Sequence, residues 1–208
     1  MAISTYSELQ TAVADTLNRE DLAAAIPAFI RLAESRIDRD MLHWRQEVRS
    51  EATLASQFSA IPADFIRPIR LQILSTGTNE VSPVSTATML QMRSDRMDAA
   101  GRPAHYAVTS GGLELFPTPD AEYASSLVYY GRITPLSDAA PSNWLLLEAP
   151  DVYLYGALVH SAPYLKDDAR VALWESFSAQ GIGAMNTASD AAKFGGAGLV
   201  MRTRRGAA

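Results

Sequence analysis

From Trp144 to Leu165 the chain reads WLLLEAPDVYLYGALVHSAPYL, an apolar run in which only Glu148, Asp151 and His160 carry a carboxylate or an imidazole. Val152, Tyr155, Val159 and Ala162 recur at helical spacing, while Leu154, Ala157 and Leu158 fill the remaining faces. A helix apolar nearly all round is a buried helix. Pro150 suits a first helical turn, where no N–H is needed, and Pro163 bends or ends the helix for the same lack of a donor. The run therefore predicts a central helix around which other elements must gather.

Outward on the C-terminal side, Asp167 and Asp168 stand where carboxylates accept the orphan N–H groups of a second helix. Val171, Trp174, Phe177 or Ser178, Ile182, Met185, Ala188 and Ala192 then repeat in steps of three and four, one stripe on one face. Gly181 and Gly183 weaken that helix by about 1 kcal/mol each relative to alanine, unless a neighbour approaches closely. On the N-terminal side, Thr5-Tyr-Ser-Glu8 is a capping box, with Leu9, Val13 and Leu17 as the face that follows. A turn at Asn18-Arg19 and a short segment capped by Asp21 lead to a longer helix. Pro27 marks its first turn, and Ile30, Ala33, Ile37 and Met41 form its buried side. Its other face bears Arg31, Glu34, Arg36, Asp38, Arg39 and Asp40, read as a solvated charged surface.

Between Val48 and about Tyr130 the period changes to short apolar runs broken by Pro, Gly, Asn and Asp, the texture of strands and turns. Ile69, Leu71 and Ile73 alternate with Arg70 and Gln72 as a half-buried strand. Turns are predicted at Ile61–Phe65 and at Thr76–Asn79. A short helix is predicted over Ser85–Asp95, with Ala87, Leu90 and Met97 leaving strand spacing. Tyr106–Val108, the turn Ser110-Gly111-Gly112 and Leu113–Phe116 make a hairpin, and Ser126–Ile133 another strand. Pairing mostly between sequence neighbours predicts an antiparallel sheet.

The resulting expectation is an α+β fold: an antiparallel helical bundle formed by N- and C-terminal helices, a central antiparallel β-rich insertion and a flexible C-terminal arm. Its parts are 1–44 and 138–194 for the bundle, 45–137 for the β-rich lobe and 195–208 for the arm. At 208 residues, 48% hydrophobic and 20% charged, the composition is that of a globular chain. No apolar run is long enough to span a membrane, and no basic leader with an apolar core opens the sequence, so the chain is expected to be soluble and unexported. The absence of cysteine excludes disulfides, thiol nucleophiles and cysteine-held metals. The net charge of −5 conceals an asymmetry, because Arg202, Arg204 and Arg205 crowd the end of an acidic chain. Sixteen of the 18 basic residues are arginine, which fits either bidentate pairing across interfaces or a GC-rich genome.

Reactive constellations are sparse. His43, His105 and His160, read as lying at a helix end, in a loop and in a buried helix, have no second ligand at metal spacing. His160 is read as a core histidine bonded to a backbone carbonyl. Ser110-Gly-Gly is turn chemistry, and Gly181-Ile-Gly183 lacks the preceding strand that a nucleotide loop requires. The residues chosen as a binding site are Leu199, Val200, Met201, Arg202, Arg204 and Arg205, an apolar anchor beside arginines that orders on a partner surface. No catalytic, metal or cofactor site is expected.

The stretches TYSELQTAVADTLNREDL (5–22), IPAFIRLAESRIDRDM (26–41), IPADFIR (61–67), GRPAHYAV (101–108), GGLELFPTPD (111–120), VYYGRITPLSD (128–138) and residues 142–174 occur in an order that resembles the tailed-bacteriophage head–tail adaptor, or head-completion, proteins. The resemblance covers nearly the whole chain and brings no catalytic motif. It implies a structural virion protein at the head–tail junction, made in the host bacterial cytoplasm. It further implies a cyclic homo-oligomer, commonly of twelve copies, that binds the portal protein and receives a neck stopper or tail component. Genome DNA would pass through its channel without sequence-specific binding, and no membrane is involved. Two other classes stay open on residues alone: a cell-wall or DNA hydrolase using Asp64 and Glu114, and a small nucleic-acid-binding protein using the basic tail.

Overall fold

The computed structural model describes residues 3–74, 79–97, 99–165 and 169–195. In chain order they form α1 (Tyr6–Leu17), α2 (Ile26–Asp40), β1 (Glu47–Leu54), β2 (Phe58–Ser59), β3 (Phe65–Ile73) and β4 (Asn79–Pro83). These are followed by α3 (Thr86–Asp95), β5 (His105–Thr109), β6 (Gly112–Phe116), β7 (Tyr123–Gly131), α4 (Trp144–Glu148), α5 (Pro150–His160) and α6 (Arg170–Phe194). The fold is mixed α+β, with two compact units: Met1–Trp44 with Ile133–Ala208, and Arg45–Arg132.

In the helical unit, α1 begins with the capping box. The Thr5 hydroxyl accepts from the Glu8 N–H at 3.2 Å, and the Glu8 carboxylate accepts from the N–H of Thr5 at 3.0 Å and of Ser4 at 2.8 Å. Leu9, Val13 and Leu17 are buried as the spacing requires. Pro27 lies in the first turn of α2, and Ile30, Ala33, Ile37 and Met41 are buried with Phe29. The apolar run at 144–165 divides in two: Asn143 caps α4 by accepting the Leu146 N–H at 2.9 Å, and Pro150 opens α5. Helix α5 packs against α1, α2, α4 and α6, which is why it has no polar face.

Two expectations about faces are corrected. In α5 the buried side is Val152, Tyr153, Gly156, Ala157 and Leu158, whereas Tyr155 and Val159 are only half-buried. A helix apolar all round carries no internal signal of orientation, so its neighbours choose the face. In α6 the stripe runs through Trp174, Ser178, Ile182 and Met185 but then turns to Asn186 and Ser189, leaving Phe177, Ala188 and Ala192 exposed. These two polar side chains hold the segment that leaves α2: Asn186 Oδ1 accepts the Leu42 N–H at 2.8 Å, and Ser189 Oγ accepts the Trp44 N–H at 2.9 Å. The Asp167-Asp168 cap lies outside the described residues.

The α6 glycines differ in kind. A Cβ at Gly181 would sit 2.9 Å from Val152 Cγ2, whereas one at Gly183 would meet nothing within 4 Å. Gly181→Ala is expected to destabilise by about 1–3 kcal/mol through forced separation of α5 and α6. Gly183→Ala should instead stabilise by about 0.5–1 kcal/mol by restricting the unfolded chain. Paired urea melts read the opposite signs, and equal effects would show that α5 does not approach α6 at Gly181.

The second unit is a seven-stranded sheet in the order β1-β7-β3-β4-β5-β6-β2. The expectation of an antiparallel sheet paired mostly between sequence neighbours is corrected at two points. Strand β7 inserts between β1 and β3, so its partners come from far upstream. Strands β4 and β5 are parallel, Ser82 facing His105 and Pro83 facing Tyr106, because α3 supplies the long crossover such a pair requires. Ile69 does not alternate inward with Leu71 and Ile73: a register shift between Pro68 and Arg70 turns it out, 41% exposed. Helix α3 is capped by Ser85 as its position suggests, but it buries Met89, while Leu90 and Met97 face solvent. The core of this unit is Leu54, Leu71, Ile73, Val81, Tyr106, Leu113, Leu115, Leu127 and Tyr129. The predicted turn at 61–65 is closed by the Phe65 N–H donating to the Pro62 carbonyl at 3.1 Å. Of the other predicted turn, residues 76–78 lie outside the described residues.

Candidate functional site

Among the described residues, the two carboxylates that sequence reading offered for catalysis are each bonded within the fold. Asp64 accepts the Tyr129 hydroxyl at 2.8 Å, and its backbone carbonyl accepts the Arg132 N–H at 2.8 Å. Burial and that carboxylate push the Tyr129 phenol up to about 12. Glu114 is held by Arg93 Nε at 2.6 Å and by Gln57 Nε2 at 3.1 Å. Asp64 lies in the turn before β3 and Glu114 in β6, and each is bonded to different partners rather than to the other.

The histidines are equally dispersed. His43 is buried and stacks on Trp144, ring centroids 5.0 Å apart. His105 is the first residue of β5 rather than a loop residue, since Ala104 and His105 continue the pairing with Phe116. Burial, and then the nearby Arg36 charge, lower the His160 imidazole below its ordinary value. Its Nε2 is buried without a hydrogen-bond partner, so the carbonyl bond expected for this histidine is absent at that nitrogen. Among the described residues no group of three His, Asp or Glu side chains is placed to hold a metal ion.

The charged face of α2, expected to be solvated, is in part a clasp. Arg36 forks onto Glu175 of α6 at 2.8 and 2.6 Å and also meets Asp40 at 3.4 Å. The guanidinium holds the Glu175 carboxyl below the usual range. Glu34 accepts the Leu136 N–H at 2.7 Å, and Asp38 the Ile133 N–H at 3.4 Å, so α2 fastens the strand-like stretch that returns to the helices. Burial raises the Glu34 carboxyl above its ordinary value, against the opposing pull of that N–H. A cleft of about 310 Å³ beside Glu34 is lined by Tyr6, Pro27, Ile30, Arg31 and Leu136. It offers one acid already bonded and no nucleophile.

Sequence reasoning missed Asn186 and Ser189; the available signal was two polar residues three apart within an otherwise apolar stripe. The chosen binding residues Leu199, Val200, Met201, Arg202, Arg204 and Arg205 lie outside the described residues. Exposed apolar side chains remain on the helices, Leu147, Leu173 and Phe194 among them. Between Glu175 and Asp190, α6 carries no charged residue although much of it faces outward. No described helix is long and apolar enough to cross a membrane.

The polar groups described above join elements of the fold, and the 176–189 stretch of α6 presents an uncharged outer face. The family model for SU10 adaptor protein matches residues 4–202, and the chain belongs to that family, a phage head–tail adaptor family. No curated protein matches it. Membership makes it a structural adaptor of the bacteriophage virion, placed with other virion components such as portal and tail.

Proposed function

We propose that copies of this chain close into a ring, of twelve subunits, that binds the portal on one side and receives the neck stopper or tail component on the other. The observation that carries this reading is the adaptor-family match over residues 4–202. Cyclic closure joins one patch to a different patch on the next copy, so the chain must present two unlike surfaces. The helices of the two ends pack as the bundle that forms the ring wall. DNA passes through the centre without being read, and no reaction is catalysed. Electron microscopy of the chain mixed with portal protein tests this: a ring on the portal is expected, and a strictly monomeric chain that ignores portal would overturn it.

Leu199–Met201 with Arg202, Arg204 and Arg205 act as the attachment arm in this reading. Deleting residues 195–208 is expected to leave the melting temperature of the isolated chain within a few degrees, because among the described residues the helical core reaches no further than Met185 and no periodic apolar stripe follows in the sequence. Portal attachment should weaken. A large drop in melting temperature would instead make the segment a core element.

A further inference from the structure

The cleft beside Glu34 holds a charge that the described fold does not neutralise. Glu34 spends one oxygen, Oε1, on the Leu136 N–H at 2.7 Å. Among the described residues its second oxygen accepts no hydrogen bond and the carboxylate enters no ion pair. Arg31, one turn upstream, lines the same cleft and is close enough for its charge to be felt, yet it forms no ion pair with Glu34. Holding the Leu136 N–H does not require a charge, since a neutral amide oxygen would accept the same bond. Half-burying a carboxylate for that purpose alone works against folding.

The surroundings of that oxygen suit a long side chain. About 310 Å³ is open between Tyr6 at the start of α1, Pro27 and Ile30 of α2, and Leu136 of the returning stretch. All four belong to the helical unit, and Ile30 and Leu136 are part of its core, with Tyr6 packed against it. Such a volume exceeds the share of one water, about 30 Å³, several times over. Its fittest occupant has an apolar stem and a positive head. Arginine meets both needs, because its methylene stem lies along apolar surface while its head stays on a polar group. The guanidinium is planar, stacks on aromatic rings and is less strongly hydrated than an ammonium, so half-burial costs it less.

We propose that this cleft is a binding site for the side chain of an arginine presented by another protein, its guanidinium donating to Glu34 Oε2 and its stem lying on Pro27, Ile30 and Leu136. A bond between a cation and a carboxylate is among the stronger hydrogen bonds a surface can make. Membership in a family of virion adaptors, which act by contact with other proteins, makes a protein side chain the source. The site holds whether or not copies of the chain close into a ring.

Heteronuclear NMR of the full chain titrated with N-acetyl-arginine methylamide tests this. Saturable shifts of the Tyr6, Arg31 and Leu136 amides are expected in the millimolar range, as befits a single side chain. The citrulline analogue, equal in shape but uncharged, should bind about tenfold more weakly or worse, the consequence of one lost charged hydrogen bond. Glu34→Gln keeps an acceptor for the Leu136 N–H and removes the charge, and should weaken the arginine probe by the same factor. The parent chain supplies a second readout that needs no variant. Burial raises the Glu34 carboxyl above its ordinary value, with Asp38 pushing the same way and the Leu136 N–H and Arg31 opposing. Binding should therefore be present at neutral pH and fade as pH falls through that raised value, before ordinary carboxylates protonate. Guanidinium chloride alone should bind more weakly than the arginine probe, because it has no stem for the walls to hold. Equal binding of the citrulline analogue, equal binding of guanidinium alone, or no saturable shift at these amides overturns the proposal. Shifts that appear only in Arg31→Ala would make Arg31 the cleft's own occupant and overturn it as well.

Discussion

Trp174→Ala should lower the folding stability of the chain by about 3–5 kcal/mol, the range for truncating a large buried aromatic. The indole is 4% exposed in the core that also holds Ile30, Val152 and Ile182, and the Arg170 guanidinium lies 5.1 Å from its centroid. Removing it leaves a void where α6 meets the other helices, and packed helices collapse into such a void only in part. The arginine also loses the ring face beneath it. Urea denaturation of the isolated chain measures the change. A near-neutral result would place Trp174 on a surface buried only between subunits, and the assembled ring would then show the loss.

The second large effect is expected in the sheet. At Gly112 the backbone has φ +139°, and a Cβ there would lie only 2.2 Å from the Ser59 carbonyl oxygen. Gly112→Ala therefore combines an unfavourable dihedral with a collision against main chain, which cannot rotate away as a side chain would. A cost of about 2–4 kcal/mol is expected, shared between backbone strain and forced separation. The separation should appear as faster amide exchange in β2, whose Phe58 and Ser59 pair with Glu114 and Leu113. Unchanged exchange at those amides would show that β2 is not held against β6 at this point.

How legible the fold was depended on the range of the interactions involved. The Thr5 capping box, the Pro27 helix start, the short helix from Ser85 and the hairpin from β5 to β6 each involve residues close in sequence, and each was readable. The place of β7 between β1 and β3 was not, because its partners lie far away along the chain and no local pattern encodes which strand meets which. Ile69 shows the same limit on a smaller scale. Its alternation pointed inward, but the bulge beside Pro68 is a property of pairing with β7.

The site followed that division. That the chain holds no cysteine and no metal-spaced histidines was visible in the letters, as was the adaptor family that the match over 4–202 establishes. What Glu34, Asp38, Arg36, Asn186 and Ser189 do was not, since a charged or polar residue on a helix looks the same whether it meets water or a distant N–H. Sequence by itself determined the composition of the faces: which helix must be buried, where helices start, which segment sets apolar residues beside arginines. Only the tertiary structure decided which side of α5 is innermost, which carboxylates fasten the returning chain and which strands lie side by side. Burial and local capping are set by a residue's own chemistry and near neighbours, whereas orientation and pairing are set by partners that only the folded chain brings within reach.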